Sequence, residues 1–473
     1  MMKKIAIIGA GPAGLTAAYE LSKKNLKVDL YEASQSVGGM AKTISLWGQF
    51  VDLGPHRFFS SDPRVNELWL EVIGSEYKMV ERITRIFYKK TFFDYPLKPF
   101  NALMGLGFGE SIICIMSYFY SKIKPIKKVN TFEEWVINRF GNRLFNIFFK
   151  SYSEKLWGIR CDELDSEFAA QRIKKLSLTE AIKSALFANR KNKHKTLVDE
   201  FAYPLKGSGH VYELMLEKIK EKNNSIFLNT SVRRIIVPNN EISNPIIELS
   251  NGNKITYDHV ISTMPITKLI EGMDAPKNIL NHSKSLKFRN TILVYLEVEG
   301  DYLFPDQWIY IHNNELKTGR ITNFNNWVET IKNGKTNTIL CLEYWCYKED
   351  ELWRREDSKL IDLAKIDINK SELIKNKTIK NGKVIRVPNC YPVYKSGYKD
   401  HLKPIENYLS TQKGLSVIGR YGSFKYNNQD HSILMGILAA ENIIKNTKHN
   451  LWEVNSDYEY QESSRITSTG LIK

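Results

Sequence analysis

Three glycines and one acid near the start of the chain have the types and spacing of a nucleotide-binding site. Gly9, Gly11 and Gly14 stand in G-x-G-x-x-G order, and Glu32 follows eighteen residues after the last of them. Glycines at these points permit a tight turn and let the backbone approach a pyrophosphate, which the amino end of a helix attracts. A carboxylate further on suits the hydroxyls of an adenosine ribose. The pattern predicts a dinucleotide-binding unit.

A strand, a helix and a second strand must hold these residues in place. Residues 5–8 are a short apolar run, residues 13–24 have the composition of a helix, and residues 27–31 form a second strand-like run. This order is typical of a βαβ nucleotide-binding unit when the glycines occupy the first turn. The acid at the end of the second strand would repel the phosphate of NADP.

A second pair of glycines separates two kinds of dinucleotide. Gly38 and Gly39 follow Glu32 by six and seven residues and precede Met40. An NAD-binding fold has no use for them there, whereas many flavoproteins have a Gly-Gly step where the backbone passes close to FAD. These residues resemble the flavin-containing amine oxidase and protoporphyrinogen oxidase superfamily, including its UDP-galactopyranose mutase branch. Later segments that resemble its cofactor-contacting strands and helix are 258–265, 415–422 and 439–444.

The resemblance implies an α/β fold with a discontinuous FAD-binding Rossmann-type domain of the GR2-like kind, a helical insertion and an antiparallel β-sheet substrate domain. The predicted boundaries are 1–75, 198–270 and 380–455 for the FAD-binding domain, 76–100 and 271–379 for the substrate domain, 101–197 for the helical domain and 456–473 for a polar tail. Segments that alternate as a half-buried sheet would are 83–97, 289–298, 308–312, 320–324 and 338–345.

The resemblance also implies which residues contact the cofactor. They are Gly9, Gly11, Gly14, Glu32, Gly38, Gly39, Met40, Gly54, Pro55, His56, Val232, Gly419, Arg420, Asn428 and Gln429. In the resembled family the turn that contains His56 lies near the reacting edge of the flavin, so we expect this histidine to be catalytic. A packed turn histidine is the alternative. Arg420 favours the mutase branch, because oxidases of the superfamily commonly have aspartate at this point.

The mutase branch implies a second set of residues, which would contact the substrate. They are Trp157, Arg289, Arg320, Tyr344, Tyr391 and Tyr426. Trp157 lies in a stretch that resembles the K-Q-W-G motif of the mutases, and Arg289 matches the arginine that pairs with the substrate diphosphate. A guanidinium suits this task because its planar fork binds phosphate oxygens bidentately. We expect Arg289 and Tyr426 to join His56 as catalytic residues.

Three positions depart from the mutase pattern. A second diphosphate arginine is replaced by Leu176, although Lys174 or Lys175 could supply the charge. A tyrosine expected just before the Gly319-Arg320 strand is absent, and the mutase aspartate is replaced by Asn428. Loss of a buried diphosphate partner weakens binding by about 1–3 kcal/mol. These departures count against UDP-galactopyranose itself as the substrate.

Two chemistries remain open. A mutase-like enzyme of cell-surface glycan synthesis would act on a nucleotide sugar or another diphosphate-linked sugar, with reduced FAD as nucleophile and NAD(P)H as a candidate reductant. An amine oxidase or protoporphyrinogen oxidase-like enzyme would pass electrons to oxygen or a quinone, and Tyr391 and Tyr426 could form the aromatic pair that faces the flavin in such oxidases. The mutase-like interpretation is favoured over this one and over a non-catalytic, FAD-stabilised scaffold.

The net charge and the cysteine content limit which kinds of binding partner and which compartment we expect. The chain of 473 residues has a formal net charge of +16, yet no nucleic-acid-binding motif accompanies it, and the basic run 190–195 is predicted to be a solvated loop. Five cysteines without a C-x-x-C pair fit a reducing compartment and predict no metal site. We therefore expect a small-molecule substrate, no nucleic acid and a cytoplasmic location, with a homodimer left open.

Segment 102–123 has an ambiguous character. Only Glu110 and Lys122 are charged, but Gly105, Gly107 and Gly109 interrupt its start. A spanning helix needs about 20 mostly apolar residues. We therefore predict a buried or interfacial helix followed by basic residues. Peripheral contact with an anionic membrane, on its inner face, is the partner hypothesis that goes with it.

Overall fold

The computed structural model describes residues 3–97, 99–168, 200–238 and 244–455. The predicted α/β class is confirmed: a parallel sheet, a large and mainly antiparallel sheet, three small sheets and a helical part are present. Several predictions fall outside the described residues, namely those for Lys174, Lys175 and Leu176, the basic run 190–195 and the polar tail 456–473.

Nineteen strands are found in the described residues. They are β1 (Lys4–Ile8), β2 (Lys27–Tyr31), β3 (Thr43–Leu46), β4 (Gln49–Asp52), β5 (Tyr77–Glu81), β6 (Thr84–Tyr88), β7 (Thr91–Asp94), β8 (Glu200–Pro204), β9 (Ser225–Phe227), β10 (Val232–Ile236), β11 (Ile246–Leu249), β12 (Lys254–Thr256), β13 (His259–Ser262), β14 (Phe288–Val298), β15 (Trp308–Ile311), β16 (Arg320–Asn323), β17 (Thr338–Cys346), β18 (Ile379–Pro392) and β19 (Leu415–Val417).

Helices connect these strands and form the helical part. The α-helices span Pro12–Lys23, Pro63–Ile73, Pro99–Leu106, Phe108–Ile123, Phe132–Phe140, Asn142–Leu144, Ser151–Trp157, His210–Lys220, Ile266–Glu271, Lys277–Ser285, Glu351–Arg354, Asp357–Lys370, Tyr398–Ser410, Gly419–Gly422 and Gln429–Ile444. A π-helical turn spans Phe145–Lys150, and short 3-10 helices span Gly39–Ala41, Phe324–Asn326, Glu329–Lys332 and Leu451–Glu453.

The parallel sheet joins distant parts of the chain in one layer. Its strand order is β19-β13-β1-β2-β9, and Ile7 of β1 lies opposite Leu30 on one side and Ile261 on the other. The first helix packs against the last long helix, where a Cβ on Gly436 would lie 2.6 Å from the Ala13 carbonyl oxygen. This close approach brings the two ends of the described chain together around the first turn.

The large sheet has the order β18-β14-β17-β16-β15-β6-β7 and is antiparallel except where β15 meets β6. The prediction that this sheet is half-buried is wrong for its centre, because all of β17 and all of β14 except Phe288 are buried. Leu360 and Ile368 belong to the apolar cluster on one face, while Tyr203 and Trp327 belong to the cluster on the other. The alternation of residue types along these strands therefore does not show which side chains face a binding site.

Two strands lie on the other side of the predicted domain boundaries. Strand β5 lies in the range 76–100 that was assigned to the substrate domain, but it pairs with β8 rather than with the large sheet. Strand β18 begins at the point where the last FAD-binding segment was predicted to start, but it forms the edge of the large sheet by pairing with β14. The ladder runs from Phe288 opposite Pro392 to Val298 opposite Ile379, so the whole of β18 belongs to the large sheet.

The helical part contains two helices where one apolar segment was predicted. The helices Pro99–Leu106 and Phe108–Ile123 are separated by Gly107, whose φ of +83° is readily adopted by glycine alone. Phe108–Ile123 packs against Phe132–Phe140. No helix in the described part of the chain is long and apolar enough to cross a membrane.

Candidate active site

A cavity of about 1300 Å³ lies where the parallel sheet, the large sheet and the helical part meet. Its dinucleotide end is lined by Gly9, Gly11, Glu32 and Val232. Its substrate end is lined by His56, Tyr152, Trp157, His312, Arg320, Tyr391, Arg420 and Tyr426. The two ends are built in different ways.

The dinucleotide end is shaped by the backbone of the first turn. Gly9 has a φ of +97°, and a Cβ on Gly14 would lie only 1.9 Å from the Gly9 carbonyl oxygen. A Cβ on Gly11 would find no protein atom closer than 3.8 Å, which is the Cα of Gly39. The three glycines thus provide a tight turn, an open approach and close helix packing. These are the requirements of a bound pyrophosphate.

Glu32 is fixed at the end of β2 by two backbone donors. Its Oε2 accepts a hydrogen bond from the Ala10 amide at 2.8 Å, and its Oε1 accepts one from the Ser34 amide at 2.8 Å. An ionised carboxylate has about four lone-pair sites. Glu32 can therefore accept further hydrogen bonds from ribose hydroxyls while these two remain.

Two predicted cofactor residues, Gly38 and Gly54, do not line the cavity. Gly38 has a φ of +97°, and its amide donates to the Ala10 carbonyl at 2.8 Å, which positions the neighbouring Gly39 at the cavity. Gly54 has a φ of +101°, and a Cβ there would lie 3.6 Å from Oε1 of Glu343. Both glycines therefore shape the backbone behind the site.

His56 lies at the substrate end as a neutral imidazole. Burial lowers its pKa to about 3, and the charges of Arg320 and Arg420 act in the same direction. Its Nδ1 is buried without a hydrogen-bond partner among the described residues. Buried polar atoms of this kind ordinarily have a partner. His56 is thus suited to a hydrogen bond with a bound group rather than to attraction of an anion by charge.

Arg320 brings a guanidinium to the cavity as part of an ion pair. Its Nε and Nη2 donate to the two carboxylate oxygens of Glu343, each at 2.6 Å. Burial acts to lower the pKa of Arg320, but the Glu343 carboxylate outweighs burial and raises it well above the usual value. The pair engages Nε and one hydrogen of Nη2, so the Nη1 hydrogens and the second Nη2 hydrogen are the ones suited to an anionic substrate.

An aromatic wall lies beside Arg420. The rings of Tyr391 and Tyr426 are stacked, with centroids 5.5 Å apart, and Trp157 meets Tyr426 edge-on at 5.9 Å. The Arg420 guanidinium lies 4.3 Å from the Tyr426 ring and donates to the Cys390 and Asn427 carbonyls. Rings at 5.5 Å are in direct contact. No substrate layer therefore fits between the two tyrosines.

Two predicted substrate residues, Arg289 and Tyr344, lie away from the cavity lining. The Arg289 guanidinium donates to the Trp345 carbonyl at 2.8 Å and lies 4.3 Å from the Tyr347 ring. Tyr344 donates to Asp367 at 3.2 Å. The diphosphate role predicted for Arg289 thus receives no support from its position. Both faces of these strands are buried, so the sequence pattern could not show which way the side chains point.

The other predicted residues line the cavity. They are Gly9, Gly11, Gly14, Glu32, Gly39, Met40, Pro55, His56, Val232, Gly419, Arg420, Asn428 and Gln429 for the cofactor, and Trp157, Arg320, Tyr391 and Tyr426 for the substrate. Gln429 also accepts a hydrogen bond from the Tyr212 hydroxyl at 2.7 Å. The residues named from the sequence thus include most of the lining at the dinucleotide end and part of the lining at the substrate end.

Several lining residues were missed by the sequence analysis. The Tyr152 ring stacks on His312 with centroids 5.0 Å apart, and it meets Tyr310 at 5.4 Å. Burial, with a smaller contribution from Lys155, lowers the pKa of His312 to about 3. Arg57 directly follows His56 and could have been found from that motif. No motif in the sequence marked Tyr152, Tyr310 and His312, because these residues meet only in the folded chain.

A glycine-lined Rossmann turn, an acid for the ribose and a second sheet over the cavity are the features of a dinucleotide-dependent enzyme. The chain belongs to the family described as flavin containing amine oxidoreductase, whose sequence profile matches residues 12–444. The resemblance to this superfamily that the sequence showed is confirmed. A flavin follows from membership of this family, and the open approach at Gly11, the carboxylate of Glu32 and the unsatisfied Nδ1 of His56 fit FAD.

Individual relatives divide between isomerases and oxidases. The chain is 24% identical to coproporphyrinogen III oxidase of Staphylococcus aureus (strain NCTC 8325 / PS 47), over 94% of this chain and 99% of that protein. The crystal structure of reduced UDP-galactopyranose mutase matches with a TM-score of 0.85 at 22% identity, over 98% of both chains. A CLA-producing fatty acid isomerase from P. acnes matches with a TM-score of 0.60 at 12% identity, over 94% of this chain and 99% of that one. Likeness at these identities establishes the fold and leaves the reaction open.

Proposed function

We propose that the protein is an FAD-dependent enzyme that rearranges a nucleotide sugar or another diphosphate-linked sugar in cell-surface glycan synthesis. One observation carries this proposal: the substrate end combines the guanidinium groups of Arg320 and Arg420 with an aromatic wall of Trp157, Tyr391 and Tyr426. Guanidinium groups bind phosphate oxygens, and aromatic rings offer flat apolar surface to a sugar ring. A substrate with an anionic head and a ring matches both.

The flavin, when bound and reduced, supplies the nucleophile for such a rearrangement. The residues of the chain hold the substrate for it. Arg320 and Arg420 stabilise the negative charge of the diphosphate as it leaves the sugar, and the aromatic wall excludes water. His56, neutral at physiological pH, provides a hydrogen bond at the substrate end. NAD(P)H is the proposed source of the reducing electrons.

Two features of the site weigh against oxidation of an amine. The contact between Tyr391 and Tyr426 leaves no gap for a substrate between their rings. Among the described residues that line the cavity, Lys268 is the sole lysine, and its Nζ lies 2.8 Å from Glu271. Amine oxidases of the superfamily often have a lysine near the flavin, and these residues supply none at the substrate end.

An oxidoreductase of the porphyrinogen type is the second candidate. The similarity to the coproporphyrinogen III oxidase of S. aureus, over 94% of this chain and 99% of that protein, favours it. Such a substrate would place its carboxylates near Arg320 and Arg420. Its electrons would pass to oxygen or a quinone.

Anaerobic incubation separates the two candidates. The flavin is reduced with dithionite or NADPH, and the protein is mixed with a panel of nucleotide sugars while products are followed by chromatography. An isomer that forms only with the reduced flavin, without net use of reductant, supports the mutase-like proposal. No isomer with any sugar, together with bleaching of the oxidised flavin by a porphyrinogen, would overturn it in favour of the second candidate.

A further inference from the structure

One helix of the molecule presents an apolar face to solvent. Of the thirteen large hydrophobic side chains that are exposed in the described residues, nine lie between residues 104 and 123. The most exposed on the helix Phe108–Ile123 are Phe108 at 85%, Ile123 at 77% and Met116 at 66%. We call the side of this helix that carries them the apolar helix face. Contiguous exposed apolar surface of this kind ordinarily marks a binding surface.

The opposite side of the same helix packs on the protein through smaller or more polar residues. Ser111, Cys114, Tyr118 and Ser121 are buried at helical spacing, and the two serine hydroxyls donate to backbone carbonyls one turn earlier. The approach is close, because a Cβ on Gly141 would lie 2.7 Å from the Tyr118 amide nitrogen. The helix therefore has its apolar side chains on the outside, the reverse of a helix that covers a core.

Positive charge accompanies the apolar helix face. The residues that follow it include Lys124, Lys127 and Lys128, and all three are exposed. From residue 99 to residue 130 the sequence contains a single acidic residue, Glu110, whose carboxylate forms an ion pair with Arg143. No ion pair of these three lysines is found among the described residues. Apolar side chains next to such lysines are the composition of a helix that lies in the surface of an anionic bilayer.

We propose that the helix Phe108–Ile123 docks the enzyme on an anionic lipid bilayer, lying in the interface with its apolar face among the lipids. Its 16 residues reach about 24 Å, short of the roughly 30 Å of a hydrocarbon core, so it lies along the surface rather than across it. This inference does not depend on the substrate. Tyr95 and Leu97, which line the cavity, lie shortly before the helix Pro99–Leu106, which Gly107 joins to the docking helix.

Vesicle flotation tests the proposal with the flavin-loaded full-length protein. Vesicles of phosphatidylcholine alone are compared with vesicles that contain one part phosphatidylglycerol in three. We expect binding to the anionic vesicles that falls as salt is raised, because the lysine contribution is screened. The variant F108D/M116D/F119D should lose at least about tenfold in the bound fraction, since charged groups are costly in the bilayer interface.

Matched variants distinguish binding through the apolar helix face from nonspecific adsorption to vesicles. Tyr302→Asp and Ile366→Asp change exposed apolar residues elsewhere, at 70% and 51% exposure, and should leave binding unchanged. Changing Lys124, Lys127 and Lys128 to Glu should weaken binding to anionic vesicles, whereas the same change at Lys277, Lys284 and Lys287 should do so much less. Flavin content and melting temperature confirm that each variant is folded.

Two results would overturn the proposal. One is wild-type protein that floats with neither kind of vesicle. The other is a concentration-dependent dimer, seen by analytical ultracentrifugation, that F108D/M116D/F119D dissociates while vesicle binding is unaffected; this would assign the apolar helix face to a second copy of the chain. Because flotation needs no substrate, failure of the mutase assay leaves its outcome unchanged.

Discussion

The two ends of the cavity differ in what they are made of. The dinucleotide end is built mainly from backbone turns and one acid of the first forty residues, where Gly9, Gly14 and Glu32 are set by local spacing, with Val232 added from β10. The substrate end uses side chains from segments hundreds of residues apart, such as Arg320 on β16 and its partner Glu343 on β17. A site built from backbone shape tolerates little change of volume, whereas a site built from charged side chains depends on their pairing.

Removing the charge of Glu343 should have the largest effect, because it breaks the pairing on which the substrate end depends. Glu343→Gln leaves Arg320 as an uncompensated buried cation, which costs about 3–5 kcal/mol of unfolding free energy. Chemical denaturation monitored by tryptophan fluorescence measures the loss. Glu372→Gln, which breaks an exposed pair with Lys90, is the control and should leave the unfolding free energy nearly unchanged, because solvent screens such a pair. Equal losses of unfolding free energy in the two variants would show that the buried pair contributes no more to stability than the exposed one.

Adding one methyl group at the dinucleotide end should have the next largest effect. In Gly14→Ala the new Cβ meets the Gly9 carbonyl oxygen at 1.9 Å, so the turn and the first helix must separate. We expect a loss of about 1–3 kcal/mol in stability and a large fall in the flavin that copurifies with the protein. Gly109→Ala is the control, since its Cβ meets nothing within 4 Å. Retention of the full flavin content by Gly14→Ala would contradict the assigned close packing.

The buried carboxyl of Asp52, at the end of β4, should make stability depend on pH. Burial raises the pKa of Asp52 to about 7, against the hydrogen bonds it accepts from Thr43, Tyr203 and Ser208. The folded state keeps this proton between about pH 4 and pH 7 while the unfolded state releases it, so the contribution of Asp52 to stability falls as pH rises through that window. Asp52→Asn should remove this slope, which is on the order of a few kcal/mol over the window. Thermal melts from pH 4 to pH 8 measure it, and parallel curves for the two proteins would refute the assignment.

The smallest effect is expected from removing a hydroxyl at the aromatic wall. Tyr391→Phe keeps the ring that stacks on Tyr426 and lies 5.0 Å from the Arg420 guanidinium. We expect a change below about 1 kcal/mol in stability and no loss of flavin. Tyr391→Ala, which removes the ring, should cost about 3 kcal/mol or more. If the two variants are equally destabilised, the hydroxyl rather than the stack supports the wall.

The sequence predicted the fold class correctly, and most residues that it named for the dinucleotide end line the cavity, because those features follow from local rules. The spacing of Gly9, Gly11 and Gly14 requires a turn and a helix start whatever surrounds it. Six of the seven strands of the large sheet lie in segments that the sequence pattern predicted as strands, whereas β18 was placed in the FAD-binding domain. The predictions were weakest where a side chain had to be assigned to one face of a strand buried on both sides, as for Arg289 and Tyr344.

By itself, the sequence determined that a βαβ unit begins the chain, that a dinucleotide of the flavin type binds there, and that an apolar segment precedes a group of lysines near residue 124. Only the tertiary structure decided that Arg320 pairs with Glu343, that the Tyr391 and Tyr426 rings are in contact, and that the apolar helix face points outward. The physical reason is the separation along the sequence between the residues that interact. Backbone turns and helix starts are set by neighbours within a few residues, whereas the neutralisation of a charge and the burial of a face depend on residues that meet only when the chain is folded.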